Sequence, residues 1–362
     1  MQKKSKYNVA VIGVGTVGIE MLRVIRQRNF PIGELRVFAR SSRDIEVDGQ
    51  KYQVQAVSPE GFSGIDIALF AGTEGEKGAA VTYASEAIKR GVVVIDNGAD
   101  FRMDPKVPLV VPEVNAPDVK KHKGIIANPN CSTIQMVVAL WPIYKKVGIK
   151  RVIVTTFQAS SGAGRGAVEQ LFNETEEIIQ RNQPAPAKRS GPGKPEYRNQ
   201  KNLFSVFCSL SSKALPQQIA FNVFPHIGAF GECDYTSEEW KMVRETHKIM
   251  HDDKIKISAT TVRVPVRTGH SESIYLETTK PIEPNQVRDI LRKAPGIIVI
   301  DERDKNLYPQ PLDAEGKDEV FIGRIRKDPF VKNGLWLWVV ADNLRKGAAT
   351  NAVQIAECVI SS

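Results

Sequence analysis

Short apolar runs separated by amphipathic stretches fill the first third of the chain. Residues 9–12 are apolar, end in Gly13-Val-Gly-Thr-Val-Gly18, and lead into a stretch that puts Met21, Leu22 and Ile25 on one helical face. That pattern reads as strand, tight turn, helix. Further apolar runs recur at 35–39, 65–71, 92–95 and 109–111, with a helix-like stretch near 76–90. Strands that are apolar on both faces and alternate with amphipathic helices predict a parallel sheet covered on both sides. The expected class is α/β, with a Rossmann-like doubly wound parallel sheet followed by an α+β unit containing a mixed sheet.

The pattern changes after a short apolar run at 124–127. Asn128-Pro-Asn-Cys-Ser-Thr133 opens a helix that runs from Ile134 onward, and longer strand-like runs follow at 151–156, 219–223, 257–266, 274–278 and 335–340. These predict a mixed or antiparallel sheet. Residues 182–218 are rich in Pro, Gly, Ser and Lys, which suits a surface excursion or subunit-contact arm. At the end, Val353, Ile355, Ala356 and Val359 predict a helix packed back on the first unit. The expected division is therefore 1–130 plus 343–362 for a dinucleotide-binding domain, and 131–342 for a second domain.

Composition narrows the possibilities. Charged residues make up 25% and hydrophobic ones 42%, ordinary values for a folded protein. The net charge of +9 suits anionic ligands but is spread along the chain, with no basic run interleaved with aromatics, so no nucleic-acid partner is expected. Cys131, Cys208, Cys233 and Cys358 are scattered, without zinc-site or disulfide-framework spacing, and no metal is expected. No stretch approaches the roughly 18 apolar residues of a membrane span, and the start lacks a signal-peptide core. The expected location is the cytoplasm.

Several groups carry candidate chemistry. In Gly13-x-Gly15-x-x-Gly18 the glycines allow a pyrophosphate to approach backbone N–H groups, with Thr16 and Val17 in the same turn. Where an acidic residue would serve NAD, the chain has Arg40, Ser41, Ser42 and Arg43, which suit a 2′-phosphate and hence NADP, with NAD still possible. Cys131 lies at a helix start, with Ser132 and Thr133 as candidate caps, where unpaired N–H groups favour a thiolate. Alternation through 261–267 sets Val262, Val264 and Val266 opposite Arg263 and Arg267, and Gly269-His270 follows as a turn. A guanidinium there can clamp a carboxylate, and an imidazole can move a proton. Residues 158–164 form a Gly-rich loop holding Gln158, a candidate ligand loop. Thr236-Ser-Glu-Glu239 reads as a capping box, with Glu238 and Lys241 as an exposed ion pair. His122, His247 and His251 read as surface residues, and His226 as a structural residue at a strand end.

Together these runs resemble the bacterial aspartate-β-semialdehyde dehydrogenase family: NPNCSTIQMVVAL at 128–140, TTFQASSGAGRGAV at 155–168, QIAFNVFPHI at 218–227, then YTSEEWKM, RVPVRTGHSES and DNLRKGAATNAV. The resemblance implies a catalytic and dimerisation domain at 131–342. It makes Cys131 the thioester nucleophile, His270 the acid/base and Gln158 an orienting amide. Arg263 would hold the substrate carboxylate, with Glu238 near its amino group; Arg102, Asn130 and Lys241 would take phosphate, and Asn130 would also contact substrate. Ser161, Gly162 and Asn343 would contact the nicotinamide. The partners implied are a small-molecule substrate and inorganic phosphate, in a homodimer or homotetramer, and the pathway is lysine, threonine and methionine biosynthesis. Two departures stand out: the glycine turn is one residue shorter than the family's Gly-x-x-Gly-x-x-Gly, and the excursion at 182–218 is longer. The rival readings are an N-acetyl-γ-glutamyl-phosphate reductase-like dehydrogenase and a non-catalytic nucleotide-binding regulator.

Overall fold

The computed structural model describes residues 3–72, 78–182 and 214–361. The apolar runs of the first third form a seven-stranded sheet of β1 (Tyr7–Ile12), β2 (Ile32–Ala39), β3 (Arg43–Val47), β4 (Gln50–Ala56), β5 (Ile67–Phe70), β6 (Val93–Asp96) and β7 (Ile125–Ala127), in the order β3-β4-β2-β1-β5-β6-β7. Every pairing is parallel except β3 with β4. Strand order reverses at β1, so the turn leaving its carboxyl end is the switch point where α/β sheets take ligands.

The helices are α1 (Thr16–Gln27), α2 (Ala79–Lys89), α3 (Pro112–Asn115), α4 (Cys131–Val147), α5 (Arg165–Asn182), α6 (Ser237–Met250), α7 (Pro284–Arg292), α8 (Pro311–Ala314) and α9 (Thr350–Ser361). Val9, Val11, Ile67 and Leu69 on one face of the first sheet bury against Met21 and Leu22 of α1 and Val353 and Ile355 of α9. Ala10, Ile12, Ala68 and Phe70 on the other face join α2 and a core that continues through α4 into a second sheet. The C-terminal helix thus packs on the first sheet, as its apolar positions predict.

The second sheet comprises β8 (Ile149–Gln158), β9 (Lys256–Arg263), β10 (His270–Thr278), β11 (Ile297–Val299), β12 (Val320–Lys327) and β13 (Gly334–Ala341), in the order β11-β12-β13-β10-β8-β9. It mixes parallel and antiparallel pairs. Val152, Val154, Ile274, Leu276, Leu335 and Leu337 point at α4, so that helix is buried on most sides. Its Ile143 is fully buried, and truncating such a residue to Ala costs about 2–5 kcal/mol.

Several expectations fail for identifiable reasons. The run at 109–111 makes only an isolated bridge from Leu109 to Ala127. Residues 219–223 are not a strand: Phe221 has φ +56°, and Ile219, Ala220 and Phe224 fill a small core with Ala167 and Leu171 of α5. The alternation at 261–267 stops at Arg263, because Pro265 offers no N–H to a ladder, and Arg267 turns outward to Glu315. The β3–β4 hairpin is unforeseen, though its polar/apolar alternation and its Asp48-Gly49 turn (φ 49° and 79°) are hairpin signals. Strands β11 and β12 likewise add to the expected runs, at the far edge of the second sheet. The excursion expected at 182–218, and Cys208 with it, lies mostly outside the described residues.

Candidate active site

Asn130, not Ser132 or Thr133, caps α4. Its Oδ1 accepts from the N–H groups of Ser132 (3.0 Å) and Thr133 (3.2 Å), which leaves Cys131 as the first helical residue. The other end of the same amide donates to Glu238 Oε1 at 2.8 Å, and the Asn130 N–H donates to Glu245 Oε2 at 2.7 Å. The helix start is therefore fixed by two carboxylates of α6. Gly347 packs against Cys131 from outside the helix: a Cβ on it would lie 2.9 Å from the cysteine Cβ.

Cys131 opens into a cavity of about 230 Å³ that Arg102, Asn130, Gln158, Ser161, Gly162, Glu238, Lys241, Arg263 and Asn343 also line, together with Val17, Gly347 and Ala348. The pair expected to be exposed is half inside. Glu238 is buried, 3.5 Å from Lys241, and also accepts from Gln158 Nε2 at 3.2 Å. Burial alone would raise the Glu238 carboxyl, but Lys241 and the Asn130 and Gln158 amides outweigh it and hold it below the ordinary carboxylate range. It is therefore ionised at neutral pH. Arg102 is buried, with Nε donating to the Asn128 carbonyl, Nη2 to the Asn97 carbonyl and Nη1 to Glu245 Oε1. Arg263, the last residue of β9, donates to the Ala159 carbonyl at 2.7 Å.

His270 opens β10 directly behind Gly162; a Cβ on that glycine would meet its Cε1 at 2.9 Å and its Nε2 at 3.0 Å. The Ala159 N–H donates to Nδ1 at 3.0 Å, so the neutral ring carries its proton on Nε2. Nε2 is buried and has no hydrogen-bond partner among the described residues. Burial, then Arg263, keep this imidazole well below its usual pKa. Burial likewise pushes the Cys131 thiol up to about 12; the Glu238 charge adds to this, and Arg102 and Arg263 oppose it. The thiolate expected from the helix start is outweighed, and thiol and imidazole are both neutral near pH 7.

Asn343 joins two loops of the site: it pairs with the Ser161 hydroxyl at 3.0 Å and accepts from the Gly269 N–H at 2.9 Å, just before His270. The sequence did not single out Gly347, Ala348 or Glu245. The unusual π-helical turn Arg345–Ala349 carries the first two. Glu245 had a legible signal, since it lies seven residues beyond Glu238 on the same helical face.

On the nucleotide side, Gly13 has φ +100°, and a Cβ on Gly18 would lie 1.9 Å from the Gly13 carbonyl oxygen, so only glycine fits there. Gly15 caps α1 without a side-chain bond, which leaves the N–H groups of Thr16, Val17 and Gly18 at a bare helix start. Such a cradle fits a dinucleotide diphosphate. Arg40, Ser41, Ser42 and Arg43 are exposed at the carboxyl end of β2; Ser42 accepts from the Ala56 N–H and Arg43 touches Ser41. Among the described residues no helix is long and apolar enough to cross a membrane.

The chain is similar to known proteins along nearly its whole length. The family model described as "Semialdehyde dehydrogenase, NAD binding domain" matches residues 8–122, and the one described as "Semialdehyde dehydrogenase, dimerisation domain" matches 140–346. The aspartate-semialdehyde dehydrogenase of Aquifex aeolicus is 54% identical over 98% of each chain. A structure of aspartate semialdehyde dehydrogenase II from Vibrio cholerae, complexed with ASA, is 43% identical over 99% of each chain, with a TM-score of 0.86. One of aspartate semialdehyde dehydrogenase with NADP from Candida albicans is 25% identical over 98% of each chain, with a TM-score of 0.69. A nicotinamide-nucleotide fold joined to a thiol pocket, matched in sequence from end to end, is that of a dehydrogenase, and the chain belongs to the aspartate-semialdehyde dehydrogenase family.

Proposed function

We propose that this enzyme catalyses the NADP-dependent reductive dephosphorylation of L-aspartyl-4-phosphate to L-aspartate-4-semialdehyde, through a thioester on Cys131. The reaction would serve lysine, threonine and methionine biosynthesis in the cytoplasm. The observation that carries this reading is the charge pattern around Cys131. Arg263 offers a planar fork for the α-carboxylate, the ionised Glu238 a partner for the α-ammonium, and Arg102 with Lys241 a cationic end for phosphate. An N-acetylated substrate has no ammonium for Glu238, which disfavours the acetylglutamyl alternative.

In this mechanism the Cys131 sulfur attacks the acyl carbon of the bound acyl phosphate, and phosphate leaves toward Arg102 and Lys241. The thiol, neutral in the ligand-free pocket, gives its proton to the departing phosphate, which leaves as hydrogen phosphate. The Gln158 amide and the Nε2–H of His270 are the donors available to the carbonyl oxygen, and they gain strength as negative charge grows on it. Gly13, Gly15, Thr16, Val17 and Gly18 would hold the diphosphate, Arg40, Ser41 and Ser42 the 2′-phosphate, and Ser161, Gly162 and Asn343 the nicotinamide. Bound there, NADPH supplies the hydride.

The division into 1–130 plus 343–362 and 131–342 follows from the same reading. We also infer a homodimer built on the second sheet, whose face away from α4 presents Ile153, Phe157, Trp336 and Trp338, the first of them 38% exposed. The decisive assay follows absorbance at the nicotinamide band with aspartate semialdehyde, with and without phosphate. Wild type should turn over only with phosphate and the Cys131→Ala variant not at all. Turnover in the variant, or none in wild type, overturns the proposal.

A further inference from the structure

Lys346 is fully buried, yet nothing in the reaction above uses it. Its ammonium donates to Glu113 Oε2 (2.6 Å), Gln354 Oε1 (2.7 Å) and Asn351 Oδ1 (3.0 Å), three acceptors for three protons. From Asn351 the chain of bonds continues: its Nδ2 donates to Asn128 Oδ1 at 2.6 Å and to the Val110 carbonyl at 2.9 Å. The Asn128 amide in turn donates to Asn97 Oδ1 at 2.7 Å and the Ala348 carbonyl at 3.3 Å, while the Asn128 carbonyl receives Arg102 Nε. One hydrogen-bonded line therefore runs from Glu113 through Lys346, Asn351 and Asn128 to Arg102, its last link being the Asn128 main-chain carbonyl.

Both ends of that line meet the chemistry. Arg102 lines the pocket at one end. Near the other, Lys346 precedes Gly347, whose closeness to Cys131 leaves no room for a Cβ, and Ala348, which also lines the pocket. These residues belong to the π-helical turn Arg345–Ala349, which carries the chain from β13 of the second sheet to α9 on the first. A π turn is an uncommon backbone state, held only where its surroundings over-determine it. The neighbouring Arg345 adds a second anchor, from Nη1 to Glu20 of α1 at 2.7 Å.

We propose that Lys346, acting through Asn351 and Asn128, is a positioning residue: it fixes the π turn against Cys131 and the Arg102 guanidinium at one common height in the pocket floor. The proposal adds to the function given above and rests on it only for the kinetic readout. A polar network of this kind acts as a unit, so cutting its middle should disturb both ends.

The test uses two variants. Asn351→Leu removes the link and leaves Lys346 paired with Glu113 and Gln354. The double variant Lys346→Met/Glu113→Gln removes the charge pair without stranding a buried carboxylate. Each is assayed for phosphate-dependent kcat and KM and for the rate of Cys131 alkylation by iodoacetamide. That second rate reads the packing of the thiol whatever the enzyme's substrate. Ile355→Ala, which opens a cavity on the buried face of α9, serves as a destabilised control. The expected result is a fall in kcat on the order of tenfold or more, since small misplacements are costly. KM for phosphate should rise, and the alkylation rate should change at least threefold, while the control keeps wild-type values despite a lower Tm. Wild-type alkylation and kcat in the two network variants, or equal losses in Ile355→Ala, overturn the proposal. Absence of turnover in wild type would instead break the functional reading, leaving the alkylation arm to judge the network.

Discussion

The nucleotide turn and the thiol pocket lie on either side of one cleft, and they are built in opposite ways. The turn offers backbone: Gly18 with no room for a Cβ and bare N–H groups at the start of α1, with exposed side chains beside them at the end of β2. The pocket offers buried side chains instead: Arg102, Glu238, Glu245, Arg263 and His270 are all buried, and most are held by two or more bonds. Backbone recognition tolerates changes of exposed side chains. Buried charges do not, because stripping one partner strands the other in a poorly solvated site.

This contrast orders the expected effects. His270→Ala should be severe, lowering kcat by about 10²- to 10³-fold, the usual cost of removing one donor to a developing oxyanion, with nucleotide affinity unchanged by titration. Retained kcat would remove His270 from the reaction. Gly18→Ala strikes the backbone side, where a methyl would collide with the Gly13 carbonyl. Nucleotide affinity should fall by on the order of tenfold or more and Tm should drop, while the alkylation rate of Cys131 stays at the wild-type value.

Glu238→Gln tests the electrostatics. The ionised Glu238 raises the thiol pKa, so removing that charge lowers it and puts more thiolate at any pH below about 12. Iodoacetamide should label Cys131 in the variant several-fold faster near pH 8. A slower rate would reverse the sign assigned to that pair. The smallest effect belongs to the exposed rim: Arg40→Ala should cut the preference for NADP over NAD by several-fold and leave kcat alone. An unchanged ratio would show that Arg40 does not read the 2′-phosphate.

Much of the site was legible because its residues announce themselves in short patterns. The Gly13 turn needs only local backbone freedom, and the capping box at Thr236 forms as its spacing requires. The errors arose where a local rule met a tertiary competitor. Ser132 and Thr133 are good caps in isolation, yet Asn130 takes that place because Glu238 and Glu245 hold it from α6, more than 100 residues away. The run at 219–223 is strand-like by composition, but a hydrophobic pocket beside α5 claims it first.

The sequence by itself determined the central strands of both sheets and the glycine turn, since strand periodicity and turn chemistry are local properties. Tertiary structure alone decided that the Cys131 thiol rests neutral. A helix start favours the anion by proximity, whereas burial beside an ionised Glu238 penalises it, and only the folded chain brings that carboxylate to the sulfur. The same holds for Lys346, an ordinary basic residue in the sequence. Its burial among Glu113, Asn351 and Gln354 exists only once α9 has closed onto the first sheet.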